Sequence, residues 1–255
     1  MSTARLHDRR LALFDIDGTL LAAGDPDHIP CLVEALTEVY GCPVTLDGVP
    51  LGGNQERAIA RTAAQRAGVA EDRIDEGLDR VMAELGRRFL ERVTDRTDRL
   101  LPGVPASLRA LADDGWDLGV LSGGARAVSR AKLEHAGLAG WFPIGAFGDD
   151  HEERAALVPL ALAEGADHHG AAFRPDAVVL IGDTPRDVEA ARAARCGVVA
   201  VATGRFGVDE LEGLSPDAVL ADLSDADALV RACRAALAAA TGSSGEPLAG
   251  PAPRP

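Results

Sequence analysis

The chain has 255 residues, enough for one large or two small domains, and 47% hydrophobic content with only 4% aromatics implies a core of Ala, Val and Leu. Its net charge of −14 offers no basic footprint for nucleic acid and favours a small substrate drawn in by a local positive site. No apolar run approaches the roughly 18 residues of a membrane span, no secretory h-region follows the charged start, and Cys31, Cys42, Cys196 and Cys233 lack CxxC spacing, the pattern of reduced thiols in a cytoplasmic protein.

Residues 11–20 read LALFDIDGTL. Four apolar residues suit a buried strand, and Asp15 and Asp17 then fall at its carboxyl end, where open α/β sheets place ligands. Period-two geometry points both side chains to one side. Like charges so close call for a cation between them, and Mg²⁺ is the usual solution; Asp-Gly turn chemistry is the plainer alternative.

Residues 22–100 carry no strand of comparable strength. Helical patterns at 29–39, 56–67 and 73–93 fill the segment, which is long for a simple crossover and predicts an inserted helical subdomain. Within it, residues 51–57 read LGGNQER. This is either a loop dipping into the site, with Asn54 and Gln55 for a hydroxylated substrate and Arg57 for an anion, or an ordinary helix start at Asn54.

From Leu101 strands and helices alternate. A helix at 105–113 precedes a strand at 117–121, which ends in Ser122, Gly123 and Gly124 before a helix at 125–136. A short strand at 143–147 leads to the acidic string Asp149, Asp150, His151, Glu152 and Glu153, which reads as a solvated loop because nothing pairs the His at a metal-ligand spacing. A helix at 153–164, with Pro159 inside, is followed by His168 and His169 in a loop. The strand at 177–181 delivers Asp183, with Thr184 and Asp187 opening a helix at 185–194 that has Pro at its first turn. Strands at 197–202 and 218–221 and a helix at 225–240 complete the pattern of a parallel, doubly wound sheet. Residues 241–255 are rich in Gly, Ser and Pro and read as a disordered tail.

Three apolar runs each deliver a polar group at the carboxyl end. The string DIDGT, the strand-terminal Ser122 and GDTPRD together resemble the haloacid dehalogenase superfamily, in its phosphoglycolate phosphatase and β-phosphoglucomutase-like branch. The resemblance covers roughly residues 11–205. It implies a Rossmann-like core (residues 1–21 and 101–240) with a mobile helical cap (22–100), acting on a small phosphorylated metabolite. Asp15 would be the nucleophile that forms an aspartyl-phosphate, and Asp17 the acid and base. Dehalogenases of the family lack this second acid, so its presence points to a phosphatase or mutase. Mg²⁺ would be held by the Asp15 side chain, the Asp17 carbonyl and Asp183. Asp187 would orient the metal shell, unless it is a helix cap. Gly18, Thr19, Ser122 and the amides of Gly123 and Gly124 would hold the phosphoryl group; the family's usual Asn after the serine is Gly123 here.

The family also supplies a lysine roughly thirty residues beyond the serine, a place that falls at Arg154. Lys132 is the only lysine, but it lies about seven residues into a helix, roughly 10 Å from the strand tips at 1.5 Å per residue, so Arg154 is expected to take the role. Lys132 also lies outside the cap, which argues against the Schiff-base chemistry of a phosphonatase. A phosphosugar mutase and a non-catalytic phosphate- and Mg²⁺-binding receiver remain as alternatives; the long insert disfavours the receiver. No feature selects between a monomer and a homodimer.

Overall fold

The computed structural model describes residues 9–170 and 172–242. Strands β1 (Arg10–Phe14), β2 (Trp116–Leu121), β3 (Ile144–Ala146), β4 (Val178–Gly182), β5 (Gly197–Val201) and β6 (Ala218–Leu220) form one sheet in the order β3-β2-β1-β4-β5-β6. Every pairing is parallel. The period of two divides the strand side chains between two cores. Ala12, Phe14, Val179, Ile181 and Val199 meet Leu108 of α4 (Val104–Asp113) and Leu229 of α9 (Ala226–Gly242). Leu11, Leu13, Val178, Leu180 and Val198 meet Leu157 of α6 (Arg154–His169) and Val188 of α7 (Pro185–Ala193). With both faces covered, the strands read as continuous apolar runs, each fully buried Leu or Phe contributing roughly 1.5–3 kcal/mol.

Between β1 and α4 the chain builds α1 (His28–Tyr40), α2 (Glu56–Arg66) and α3 (Glu71–Arg92). Their apolar stripes form a third core through Leu32, Leu36, Ala60, Ala63, Leu78 and Leu85, which also takes Val128 and Ala131 from α5 (Arg126–His135). The helical cap therefore rests on the helix that leaves the Ser122 loop. Its two connections are joined side by side: Ala22 N–H donates to the Arg99 carbonyl at 2.8 Å and Leu101 N–H to the Leu20 carbonyl at 3.0 Å. Buried Arg96 from the second connection donates to Asp25 of the first at 2.8 Å, and also reaches Asp27. Burial pushes the Asp25 carboxyl up, but the Arg96 hydrogen bond, the Asp27 amide and the Lys132 and Arg96 charges together outweigh it and hold the group below its usual range.

The sequence-based boundaries differ from these in three places. Helix α6 runs on to His169, so His168 and His169 form its last turn rather than a loop. Gly165, just beyond the expected helix, is buried where a side chain would meet the Phe173 ring, so packing overrides its poor propensity. Helix α8 (Val208–Glu212) had no clear sequence signal. Of the expected disordered tail, Thr241 and Gly242 continue α9, while residues 243–255 lie outside the described residues. The four cysteines are free, and no helix among the described residues is long and apolar enough to cross a membrane.

Candidate active site

Connections from β1 run outward through β2 and β3 on one side and β4 to β6 on the other, so the strand order reverses beside β1. That reversal opens the crevice in which such sheets place ligands. Asp15 N–H donates to the Ile181 carbonyl at 2.8 Å, carrying the β1–β4 ladder one residue further and fixing Asp15 at the crevice floor. Asp183 follows β4, and Ser122 follows β2 with its amide on the Ala146 carbonyl at 3.0 Å.

Asp15, Asp183, Asp187 and Arg154 are all buried. Arg154, at the first position of α6, donates from Nη2 to Asp15 Oδ1 at 2.7 Å and to the Leu121 carbonyl at 3.2 Å, and also pairs with Asp187. Burial disfavours the guanidinium charge, but Asp187 and Asp15 hold its pKa above the usual value. The arginine thus stands where the family's lysine was expected.

Asp187 caps α7. Its Oδ2 accepts from the Thr184 amide at 3.1 Å and the Thr184 hydroxyl at 2.6 Å, while Oδ1 faces Arg154. Both oxygens are engaged by protein donors, the arrangement of the cap alternative.

Asp183 has a different environment. Thr19 Oγ1 donates to it at 3.3 Å, and among the described residues no cationic side chain pairs with it. Burial, then the nearby Asp187 charge, pushes its pKa up to about 7; burial likewise raises Asp15 well above the carboxylate range despite Arg154. Three buried carboxylates against one guanidinium leave two negative charges uncompensated, the charge a divalent cation carries. Among the described residues no three His, Cys, Asp or Glu side chains are grouped closely enough to hold an ion by themselves. The buried Asp15 and Asp183 carboxylates have the donor chemistry that suits an ion such as Mg²⁺, which keeps waters and borrows substrate oxygens.

Several of the residues expected to hold a phosphoryl group also have protein partners. Gly18 N–H donates to the Leu21 carbonyl at 2.7 Å, and Thr19 serves Asp183. Gly18 is needed for its backbone: φ is +102°, and a Cβ there would be driven into the Asp183 carboxylate. The Gly124 amide donates to Ser122 Oγ at 3.2 Å, and the Gly123 carbonyl accepts from the Glu56 amide at 2.7 Å. Ser122 is buried at the strand tip as expected.

Lys132 overturns the distance estimate made from the helix rise. Its Nζ lies 2.7 and 2.9 Å from the two carboxylate oxygens of Asp17 and 3.1 Å from His28 Nδ1. The count along α5 measured the path back to the β2 tip. Asp17, however, lies beyond the β1 tip, over the flank of α5, within reach of a long side chain. His28 Nε2 in turn lies 2.8 Å from Glu56 Oε2, which also accepts from the Ala125 amide at 3.3 Å. Burial raises the Glu56 pKa, but His28 and then Lys132 outweigh it and hold the carboxyl below its usual range. Sequence reading missed both His28 and Glu56. His28 lies in no motif, and Glu56, inside the LGGNQER stretch, was passed over between Gln55 and Arg57 because an acid in the first turn of a helix is a common surface feature.

The loop before α2 does approach the site. Gly53 packs against Thr184 and Arg186, and the Asn54 carbonyl lies over Gly123. Asn54 Nδ2 folds back onto the Pro50 carbonyl at 3.1 Å, however, and Arg57 turns outward to Asp79 at 2.5 Å. Of the three expected specificity residues, Gln55 alone is buried, and its Oε1 has no hydrogen-bond partner among the described residues. Arg154 Nε is also buried without a partner, and both residues line a cavity of about 270 Å³ together with Gly53, Glu153, Arg186 and Glu189. The acidic string is structural: Asp149 accepts from the Arg126 amide at 3.0 Å, Asp150 from the Phe147 amide at 2.8 Å, and Glu152 pairs with Arg61 at 3.1 Å.

Strand-tip carboxylates, a buried guanidinium and helices inserted after β1 define a capped protein of the Rossmann-like α/β class. The chain belongs to the haloacid dehalogenase-like hydrolase family, whose model matches residues 10–195. It is 29% identical to the phosphoglycolate phosphatase of Nitrosococcus oceani over 225 residues, 86% of this chain and 95% of the relative. The phosphoglycolate phosphatase of Escherichia coli strain K12 is 26% identical over 241 residues, covering 87% of this chain and 92% of the relative. Among solved structures, β-phosphoglucomutase from Clostridium difficile matches with a TM-score of 0.61 at 14% identity, over 89% of this chain and 97% of the other.

Proposed function

We propose that this protein is a Mg²⁺-dependent phosphomonoester hydrolase that acts on a small phosphorylated metabolite through an aspartyl-phosphate on Asp15. The observation that carries this reading is the separate treatment of the two acids: Asp15 bonds Arg154 and Asp17 bonds Lys132. With Asp15 Oδ1 held by Arg154, Oδ2 is left to attack phosphorus. The ester P–O bond breaks as Asp17, in its protonated form, gives its proton to the leaving oxygen and is left as the carboxylate that Lys132 binds. Asp17 then takes a proton from water, which attacks the phosphorus of the aspartyl-phosphate and releases inorganic phosphate and the Asp15 carboxylate. Mg²⁺, held by Asp15, Asp183 and the Asp17 carbonyl, would offset the negative charge between nucleophile and phosphoryl group. The cavity beside Gln55 suits the part of the substrate beyond the phosphoryl group, where a hydroxyl would satisfy Oε1.

Phosphoglycolate, named by the curated relatives, heads the panel of esters to test by phosphate release. Replacement of Asp15 by Asn should lower kcat/KM more than roughly a thousandfold, about 4 kcal/mol of transition-state stabilisation, with the fold intact. Ordinary turnover by a folded Asp15→Asn protein would sink the covalent route.

A further inference from the structure

Asp17 is not held in place by the strand that presents it. It lies past the end of β1, and its side chain is about one-third exposed. The groups that fix it come from two other parts of the molecule. Lys132, with 2% of its side chain exposed, donates to both Asp17 oxygens from the middle of α5. Nζ has three donors, and the third points to His28 Nδ1 on α1. The complementary assignment then has His28 Nε2–H donating to Glu56 on α2. Glu56 returns to α5 through the amide of Ala125, ahead of its first turn. The result is a closed circuit: α5 contributes its N-terminal amide and Lys132, and the cap contributes Glu56 and His28.

A buried lysine ammonium is costly unless its donors are met. Here two are met by the acid of the reaction and one by the cap. Without His28, Nζ would have a buried donor unmatched and freedom to rotate about a four-carbon stem. The lysine would then hold Asp17 less well.

We infer that Lys132 is the positioning residue for Asp17, and that the Glu56–His28 pair of the cap fixes Lys132 in the rotamer that does this. The inference rests on the reading of Asp17 as the acid that protonates the leaving group. It assigns the only lysine of the chain a task distinct from that of Arg154, whose contacts are to Asp15 and Asp187. Lys132 does not touch the nucleophile. Its effect falls on proton delivery and not on attack at phosphorus.

Leaving-group dependence separates those two effects. A 2,4-dinitrophenyl ester leaves without a proton, whereas an alkyl phosphate needs one. The parameter to compare is kcat/KM, which reports phosphorylation of Asp15 and not the later hydrolysis. Asp17→Asn calibrates the scale: a loss of roughly a hundredfold or more on the alkyl ester, with a much smaller loss on the dinitrophenyl ester, is the signature of a missing acid. Lys132→Met is expected to reproduce that ratio. Glu56→Gln, which keeps shape and removes charge, is expected to give the same pattern at roughly a tenfold loss. The double variant should be no worse than Lys132→Met alone, because the pair acts through the lysine. Thermal midpoints and circular dichroism establish that each variant is folded, and Glu56→Gln carries the test if Lys132→Met does not fold.

Equal losses on both esters in a folded Lys132→Met protein, or no loss on either, would overturn the positioning role while leaving the reading of Asp17 standing. Additive losses in the double variant would overturn the route through the cap. An Asp17→Asn protein without leaving-group dependence would instead remove the acid role itself, and this inference with it.

Discussion

Asp15 and Asp17 are two residues apart, yet opposite halves of the molecule hold them. The Asp15 side is built from the sheet and its flanking helices: β1, β4, Arg154 at the start of α6 and Asp187 in α7. It is buried and rich in negative charge. The Asp17 side is more open and shared: Lys132 comes from α5, but its remaining partners come from the cap. A nucleophile has to be in place before substrate arrives, and rigid core elements suit that task. A proton donor is needed only once the ester is enclosed, and a contact completed by the cap suits that.

The sharpest way to break this contrast is at Arg154. Arg154→Ala leaves Asp15 and Asp187 buried beside each other with no cation. It is expected to cost roughly 3–5 kcal/mol of stability, the usual penalty for removing one partner of a buried pair. Activity should fall with it by about a thousandfold, as for loss of the nucleophile's electrostatic support. Denaturant midpoints and kcat/KM measure the two losses. A variant of normal stability would mean that the Asp15 side is not organised by this guanidinium.

The uncompensated charge on the same side gives a pH-dependent prediction. Asp183 has a pKa of about 7 when folded, against 3.8 ordinarily. The folded state therefore binds more protons than the unfolded state between those values, and metal-free stability should fall as pH rises from about 4 to about 7. Mg²⁺ favours the ionised carboxylates, so its stabilising effect should grow over the same window, reaching about 2.7 kcal/mol at a hundredfold excess over Kd. Thermal midpoints with and without Mg²⁺ test this. The same gain at about pH 5 as at about pH 8 would contradict a site completed by a divalent cation.

The smallest effects are expected in the loop before α2, where neighbouring residues should differ. Gln55→Leu should lower kcat/KM on a hydroxylated ester by roughly tenfold more than on a generic aryl phosphate, because a buried acceptor is lost. Arg57→Ala should change both by less than about twofold, since its partner Asp79 is 88% exposed and such pairs contribute at most about 1 kcal/mol. Similar losses at both positions would return the loop to an undifferentiated helix start.

The strand tips were legible because strand-end chemistry is local. An apolar run followed by an acid places that acid at the sheet edge whatever the rest of the chain does, as at Asp15 and Asp183. Arg154 was legible only through the family resemblance, which sets a basic residue roughly thirty positions beyond the serine. Other features depended on distance in sequence. Residues 165–169 were misread because the burial of Gly165 against Phe173 depends on a residue beyond the helix. Asn54 and Arg57 have the right chemistry for a substrate, but their side chains face Pro50 and Asp79.

The sequence by itself determined the alternation of strands and helices, the insertion after β1 and the identity of the strand-tip acids, because periodicity and spacing act over a few residues. Only the tertiary structure decided what surrounds each acid. Lys132, His28 and Glu56 meet because three amphipathic helices pack their apolar faces into one core, which brings residues up to 104 positions apart into hydrogen-bond contact. The burial that raises Asp183 and unites Arg154 with two carboxylates is likewise a property of the assembled sheet. Charge and desolvation depend on neighbours in space, and those exist only once the chain has folded.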